Sequence, residues 1–178
     1  SLHEYTDGFI INNFIFFVDK IKSYCKIINL KTNIPLAIFG FKNLNKPTCI
    51  DGFYENNKYY LFIADDNKVI KYKVDILNDK INDLKSENLI NLENVSIKDI
   101  LIDNYYNRIL IYDDFNVKLK IYNLNGEIIK ELDSQAERIK SYDDYYLITD
   151  RKQDSNSIHL ICKDKLEYVD SYSNKNVK

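Results

Sequence analysis

Two short apolar runs meet at a polar turn in "YYLFIADDNKVIKYKVD", residues 59–75. The first run, Tyr59–Ala64, ends on Asp65. After Asp66 and Asn67 a second run alternates Val69, Ile70, Tyr72 and Val74 with lysines. Alternation with period two, rich in β-branched and aromatic side chains, marks strands, and an Asp/Asn cluster between them marks a turn. The same phrase returns in "NRILIYDDFNVKLKIYNLNG", residues 107–126.

The phrase occurs four times. "FIFFVD" ends on Asp19, "YYLFIAD" on Asp65, "RILIYD" on Asp113 and "YYLITD" on Asp150, at separations of 46, 48 and 37 residues. A second run follows each: "YCKIINL" (24–30), "KVIKYKVD" (68–75), "VKLKIYNL" (117–124) and "SIHLICK" (157–163). A shorter run precedes each: "TDGFIIN" (6–12), "TCIDGFYE" (48–55), "SIKDILID" (96–103) and "ERIKSYD" (137–143). A fourth run follows in three units: "IPLAIFGF" (34–41), "GEIIKEL" (126–132) and "KLEYVDSY" (165–172). In the second unit, 76–94, Leu77, Ile81, Leu84 and Leu89 partly fit a helical stripe. That segment is expected to be a loop with a short strand or helical turn.

Four strands in each of four units predict an all-β chain of four-stranded antiparallel meanders, the blade of a β-propeller. The expected blades are 5–42, 47–94, 95–134 and 137–173 in one domain, 1–178. They form either a four-bladed ring or part of a larger propeller. A sandwich or barrel built from the same strands is the alternative. Repetition has a physical reason: one four-stranded sheet cannot bury both faces, and stacking on its neighbours does so.

Composition sets further bounds. The 178 residues are 45% hydrophobic, enough for a packed core. Ala is scarce and Met absent, as suits a strand-rich chain. Net charge is −2 with both signs interspersed, so no basic stripe marks a nucleic-acid surface. No apolar run reaches the length of a membrane helix, and no signal-peptide pattern is present. The chain starts at Ser1 and holds no Met, which reads as a piece of a longer protein. Asn, Lys and Ile crowd the sequence while Arg is rare, the mark of an A/T-rich genome. Cys25, Cys49 and Cys162 are odd in number, without CxxC spacing, and read as free thiols in a reducing, cytoplasmic compartment.

No catalytic or metal constellation stands out. His3, expected in a mobile terminus, and His159, on a predicted strand, lack an oriented partner. GxSxG, phosphate-cradling loops and His/Cys ligand spacing are absent, so no catalytic residue, cofactor or metal ligand is assigned. Asp19, Asp65, Asp113 and Asp150 read first as turn formers, since Asp bonds its own following backbone. The alternative places them at one end of a central channel, holding an ion or ligand. The chain has 15 tyrosines, with pairs at 59–60, 105–106 and 145–146. Neighbours on a strand face opposite sides, so one of each pair is free for an interface; Tyr60, Tyr106 and Tyr146 are the candidates.

"LKIYNLNGEIIKEL" (119–132) resembles the third strand, turn and fourth strand of WD-repeat and NHL-type blades, with Gly126 at the positive-φ turn position. The Gly-His and Trp-Asp pairs of a WD blade are missing. "CIDGFYENNKYYLFIADDNKVIKYKVD" (49–75) resembles a hemopexin-like blade, which implies a ligand- or ion-binding four-bladed fold, although Trp and the terminal Cys pair are lacking. "ADDNKVIKY" (64–72) and "YLITDRKQDSNSIHL" (146–160) are similar to blades of the non-catalytic WD-repeat subunit of tRNA guanine-N7 methyltransferase. That resemblance implies an RNA-modification partner. The residues themselves point to a non-enzymatic scaffold module that binds another protein.

Overall fold

The computed structural model describes residues 2–152 and 155–175. It is all-β, with four four-stranded antiparallel sheets, each a meander in chain order. The chain has the β-propeller architecture that the repeat predicts. Blade 1 is β1 (Tyr5–Ile11), β2 (Phe14–Asp19), β3 (Tyr24–Asn29) and β4 (Ile34–Phe39). Blade 2 is β5 (Pro47–Glu55), β6 (Lys58–Asp65), β7 (Lys68–Leu77) and β8 (Lys80–Asn91). Blade 3 is β9 (Ile97–Asp103), β10 (Arg108–Asp113), β11 (Lys118–Asn123) and β12 (Ile128–Asp133). Blade 4 is β13 (Arg138–Tyr142), β14 (Tyr145–Lys152), β15 (Ser155–Cys162) and β16 (Glu167–Lys175). Contacts divide the chain into two compact units, Ser1–Asn94 and Val95–Lys178, each of two blades.

Within the first unit the facing sheets enclose Phe16, Val18, Cys25 and Ile27 from blade 1 with Leu61, Ile63, Ile70, Tyr72 and Val74 from blade 2. In the second unit Leu110, Tyr112, Leu119 and Ile121 pack with Ile139, Tyr146, Ile148 and Ile161. Each sheet thus covers a face that alone would stay wet, the hydrophobic gain that makes the blades a pair.

The repeated aspartate has a clear structural task. Asp19, Asp65 and Asp113 are fully buried at the ends of β2, β6 and β10. Asp65 accepts hydrogen bonds from Asn45 N at 2.8 Å and Lys46 N at 2.6 Å, the chain entering blade 2. Asp113 accepts from Ser96 N at 3.1 Å ahead of β9, and from Phe115 N and Asn116 N in its own turn. Lys120 Nζ lies 2.9 Å from it. Asp19 accepts from Glu4 N and Lys22 N, and His3 Nδ1 sits 2.7 Å away. His3 is therefore held against Asp19, and the expectation of a mobile N-terminal histidine is corrected. Each carboxylate ties the incoming chain to the end of the second strand. Asp19 and Asp113 also bond amides of the turn that follows them, as a turn former does, whereas the backbone bonds of Asp65 run back to Asn45 and Lys46. The side chain of Asp150 lies outside the described residues; β14 runs past it to Lys152.

A second set of acids was not foreseen. Asp7 Oδ2 accepts from Ile50 N at 3.0 Å, joining β1 to β5. Asp99 Oδ2 accepts from Ile139 N at 2.7 Å, joining β9 to β13 in the same way. Both follow a β-bulge in the first strand of their blade, which puts Asp7 opposite Val18 and Asp99 opposite Tyr112. In the second unit a buried ion pair adds to this: Lys163 Nζ lies 3.5 Å from Asp103 Oδ2, which also accepts from the Tyr146 hydroxyl at 2.9 Å.

Segment 76–94 is not a loop with a helical turn. β7 and β8 form one long hairpin closed by Asn78 and Asp79, both at positive φ, the pattern of a two-residue type I′ turn. The apparent helical spacing has a cause. Asn82 is a bulge between the pairs Ile76↔Ile81 and Asp75↔Asp83, so Ile81 and Leu84, three apart, share a face. A second bulge, Leu89, lies between Ile70↔Asn88 and Val69↔Ile90.

Burial pushes the Asp113 carboxyl up, but the bonds from Asn116, Lys120 and Ser96 more than offset it and hold it below the usual range. Asp19 is lowered in the same manner, burial being opposed by Lys22 N, His3 and Glu4 N. Depressed carboxyls contribute stability that is complete above the unfolded value of about 3.9 and lost as pH falls through the folded one. Thermal melts are expected to hold near neutrality and to drop below about pH 4. Asp113→Ala, which strands several backbone N–H groups, is expected to cost roughly 3 kcal/mol in urea unfolding at neutral pH. A change within error would show that Asp113 is not a structural tie.

Candidate functional site

Asp19, Asp65 and Asp113 are engaged in the ties just described, and the side chain of Asp150 lies outside the described residues; the concave surface lies on blade 2. Among the described residues its outer hairpin is the longest: β7 and β8 have 10 and 12 residues, against 6 each for β3, β4, β11 and β12, and 8 and 9 for β15 and β16. Register fixes what each face carries. One cross-strand row reads Phe53, Tyr60, Lys73, Lys85, and the next reads Asp51, Phe62, Lys71, Glu87. This is the face turned away from the Leu61–Tyr72–Val74 core.

On it lies a groove of about 420 Å³ lined by Tyr60, Lys71, Lys73, Lys85, Ser86 and Glu87. Phe53 and Tyr60 stack with centroids 4.9 Å apart. Lys73 Nζ stands 5.7 Å from the Tyr60 centroid, and Lys71 Nζ 6.0 Å from it and 5.9 Å from that of Phe62. Such cation–π placement holds ammonium groups over an apolar floor. Lys71 also pairs with Glu87 at 3.3 Å, and Lys85 with Asp83 at 3.6 Å. Lys73 has no carboxylate within ion-pair distance among the described residues.

On the opposite face of β8 is a smaller pocket of about 270 Å³, lined by Gly40, Phe41, Lys42, Asn43, Tyr72, Leu84 and Ser86. Ser86 contributes to both concavities, so β8 is the wall between them. Gly40 has φ +102°, a conformation that side-chain-bearing residues rarely adopt; a Cβ there would meet Leu44 Cδ1 at 2.5 Å. Among the described residues the buried Tyr72 hydroxyl has no hydrogen-bond partner. Burial pushes it up to about 12, and the nearest amide, that of Asn43, is turned to another acceptor. That amide donates to Ser86 Oγ at 3.0 Å.

The candidate aromatics separate. Tyr60 lines the groove and is half-buried. Tyr146 is 0% exposed and hydrogen-bonded inside the second unit, so it offers no interface; its neighbour Tyr145 is the outward one. Tyr105 and Tyr106 lie in the turn between β9 and β10, not on a strand, so strand alternation does not apply to them. Tyr106 is half-buried, bonded to Asp164 at 3.2 Å and covered by the Arg108 guanidinium, 4.9 Å from its ring centroid. His159 contacts Ser157 Oγ at 3.1 Å and the Tyr168 ring. No disulfide joins the three cysteines; Cys25 and Cys49 are buried, and burial pushes the Cys25 thiol up. Among the described residues no helix is long and apolar enough to cross a membrane. The groove lysines were not foreseen as a cluster, because they are joined across strands and not along the chain.

No protein-family model matches the chain, and a search of curated proteins finds no match. Solved structures do resemble it. Dihydro-heme d1 dehydrogenase NirN in complex with DHE matches 96% of this chain and 38% of its own, at TM-score 0.64 and 10% identity. Kuenenia stuttgartiensis hydrazine synthase matches 96% of this chain and 49% of its own, at TM-score 0.72 and 9% identity. BBS1N in complex with ARL6DN matches 89% of this chain and 48% of its own, at TM-score 0.61 and 13% identity. The chain therefore spans half or less of the length of these proteins. At such identities the likeness is one of fold, the β-propeller, and carries no function with it.

The unsatisfied Tyr72 hydroxyl is a cost that Tyr72→Phe removes without changing the packing volume. That variant is expected to unfold at equal or higher urea concentration than the parent, by up to about 1 kcal/mol. A loss beyond about 1 kcal/mol would mean that the hydroxyl has a stabilising partner.

Proposed function

We propose that the chain is a non-catalytic binding module of the β-propeller type and that the outer hairpin of blade 2 is the element that holds a protein partner. The observation that carries this reading is the hairpin itself. β7 and β8 exceed the third and fourth strands of blades 1 and 3 by four to six residues, and both blade 2 concavities lie along β8. Core packing needs little of that extra length: Leu77 and Lys80 to Ser86, apart from half-buried Ile81, are exposed. An aromatic floor with half-buried tyrosine is the composition that interfaces favour. Fold neighbours do not decide the matter, since a dehydrogenase and a synthase stand beside BBS1N, which was crystallised with ARL6DN. An RNA-modifying enzyme as the partner is a narrower form of the same reading and rests on the blade resemblance alone.

The test uses a photo-crosslinking benzoylphenylalanine at exposed Ser86, with a control at exposed Tyr142, in tagged chain incubated with lysate of its own cells. A stoichiometric protein is expected to crosslink from position 86 and not from position 142. A partner that co-purifies yet crosslinks only from position 142 would overturn the hairpin as the recognition element.

A further inference from the structure

Lys73 and Lys85 are directly opposed on neighbouring strands. Like charges so placed repel and destabilise a sheet. Lys85 is compensated in part by Asp83 at 3.6 Å. Lys73 has no carboxylate partner among the described residues, and its ammonium group rests on the Tyr60 ring at 5.7 Å. Lys71 stands beside them on the same face, and Glu87 is the one carboxylate among the groove's six lining residues. The groove lining holds three cations and one anion; Lys71 is paired with Glu87 and Lys85 with Asp83, which leaves Lys73 as the groove cation without a carboxylate among the described residues.

The wall of this groove is the last strand of its sheet, in the order β5-β6-β7-β8. An edge strand presents backbone N–H and C=O groups along its free side, and an extended peptide can pair there. Resting on the hairpin as recognition element, we infer that the groove takes an extended acidic segment of a partner protein, laid along β8 with its carboxylates on Lys73, Lys85 and Lys71. The Tyr60 ring supplies the apolar floor beneath the charges. Opposed lysines are repulsive in the empty groove and become attractive to one shared carboxylate, so the arrangement favours an anion that bridges them.

Two fluorescein-labelled probes test this by anisotropy at low ionic strength: an alternating Glu-Val octapeptide and its Lys-Val counterpart. The acidic probe is expected to bind and the basic one not, with affinity falling steeply as salt is raised. Lys85→Glu gives Lys73 a cross-strand partner but loses the Lys85–Asp83 pair and stands between Asp83 and Glu87 on the same face. It is expected to weaken the acidic probe about tenfold or more while circular dichroism shows the fold retained. Lys73→Gln, also at an exposed position, is expected to weaken binding without loss of fold. Equal binding of both probes, or acidic binding unchanged in both variants, would overturn the proposal. Crosslinking from position 86 combined with no acidic-probe binding would overturn the acidic chemistry and leave the hairpin reading standing.

Discussion

A buried carboxylate that collects backbone N–H groups is the constraint on which each of the first three blades depends. A blade's first strand enters from a connecting segment whose amides must be satisfied once they leave water. Asp65 meets that need by reaching back to Asn45 N and Lys46 N, and Asp113 by reaching back to Ser96 N. Asp113 in addition closes the turn ahead of it through Phe115 N and Asn116 N. Burying a charge without such partners would be prohibitive, and here the donors come from the backbone itself. The alternation of apolar residues then aims one face of the sheet at its neighbour, and the blade pair forms a core.

The two blades within each unit are joined by a related device. Asp7 and Asp99 occupy equivalent places after a bulge and accept the N–H of Ile50 and Ile139 in the next blade. The bulge matters because it changes the side to which the residue points; without it the carboxylate would miss the neighbouring strand. Acids do two different structural jobs in this chain.

Blade 2 departs from the pattern in a way that leaves its outer hairpin free for other work. Its strands continue beyond the packed region and are held by a tight Asn78–Asp79 turn and by bulges at Asn82 and Leu89. Lysines that face one side of β7 and β8 gather over Tyr60 and Phe62, while the other side backs onto Tyr72 and the Gly40 loop. A face that keeps opposed lysines has accepted a local electrostatic cost, and such costs are concentrated where a surface meets a ligand.

The fold was legible in the sequence because its signals are local. Period-two alternation, an aspartate closing each second run and polar turn residues all act within a few positions, so the four blades and their meander order could be read directly. The Asn78–Asp79 hairpin was legible in principle from its turn chemistry, but a bulge set Ile81 and Leu84 at a helical spacing and hid it. The candidate site was not legible. Tyr60, Lys73 and Lys85 are 13 and 12 positions apart and become neighbours only when three strands pair in one register. The destinations of the aspartates were likewise beyond the sequence, since Asp7 and Asp99 find partners about forty residues away. Local propensity decides which segments become strands; which side chains then share a face depends on register, and a single bulge resets it.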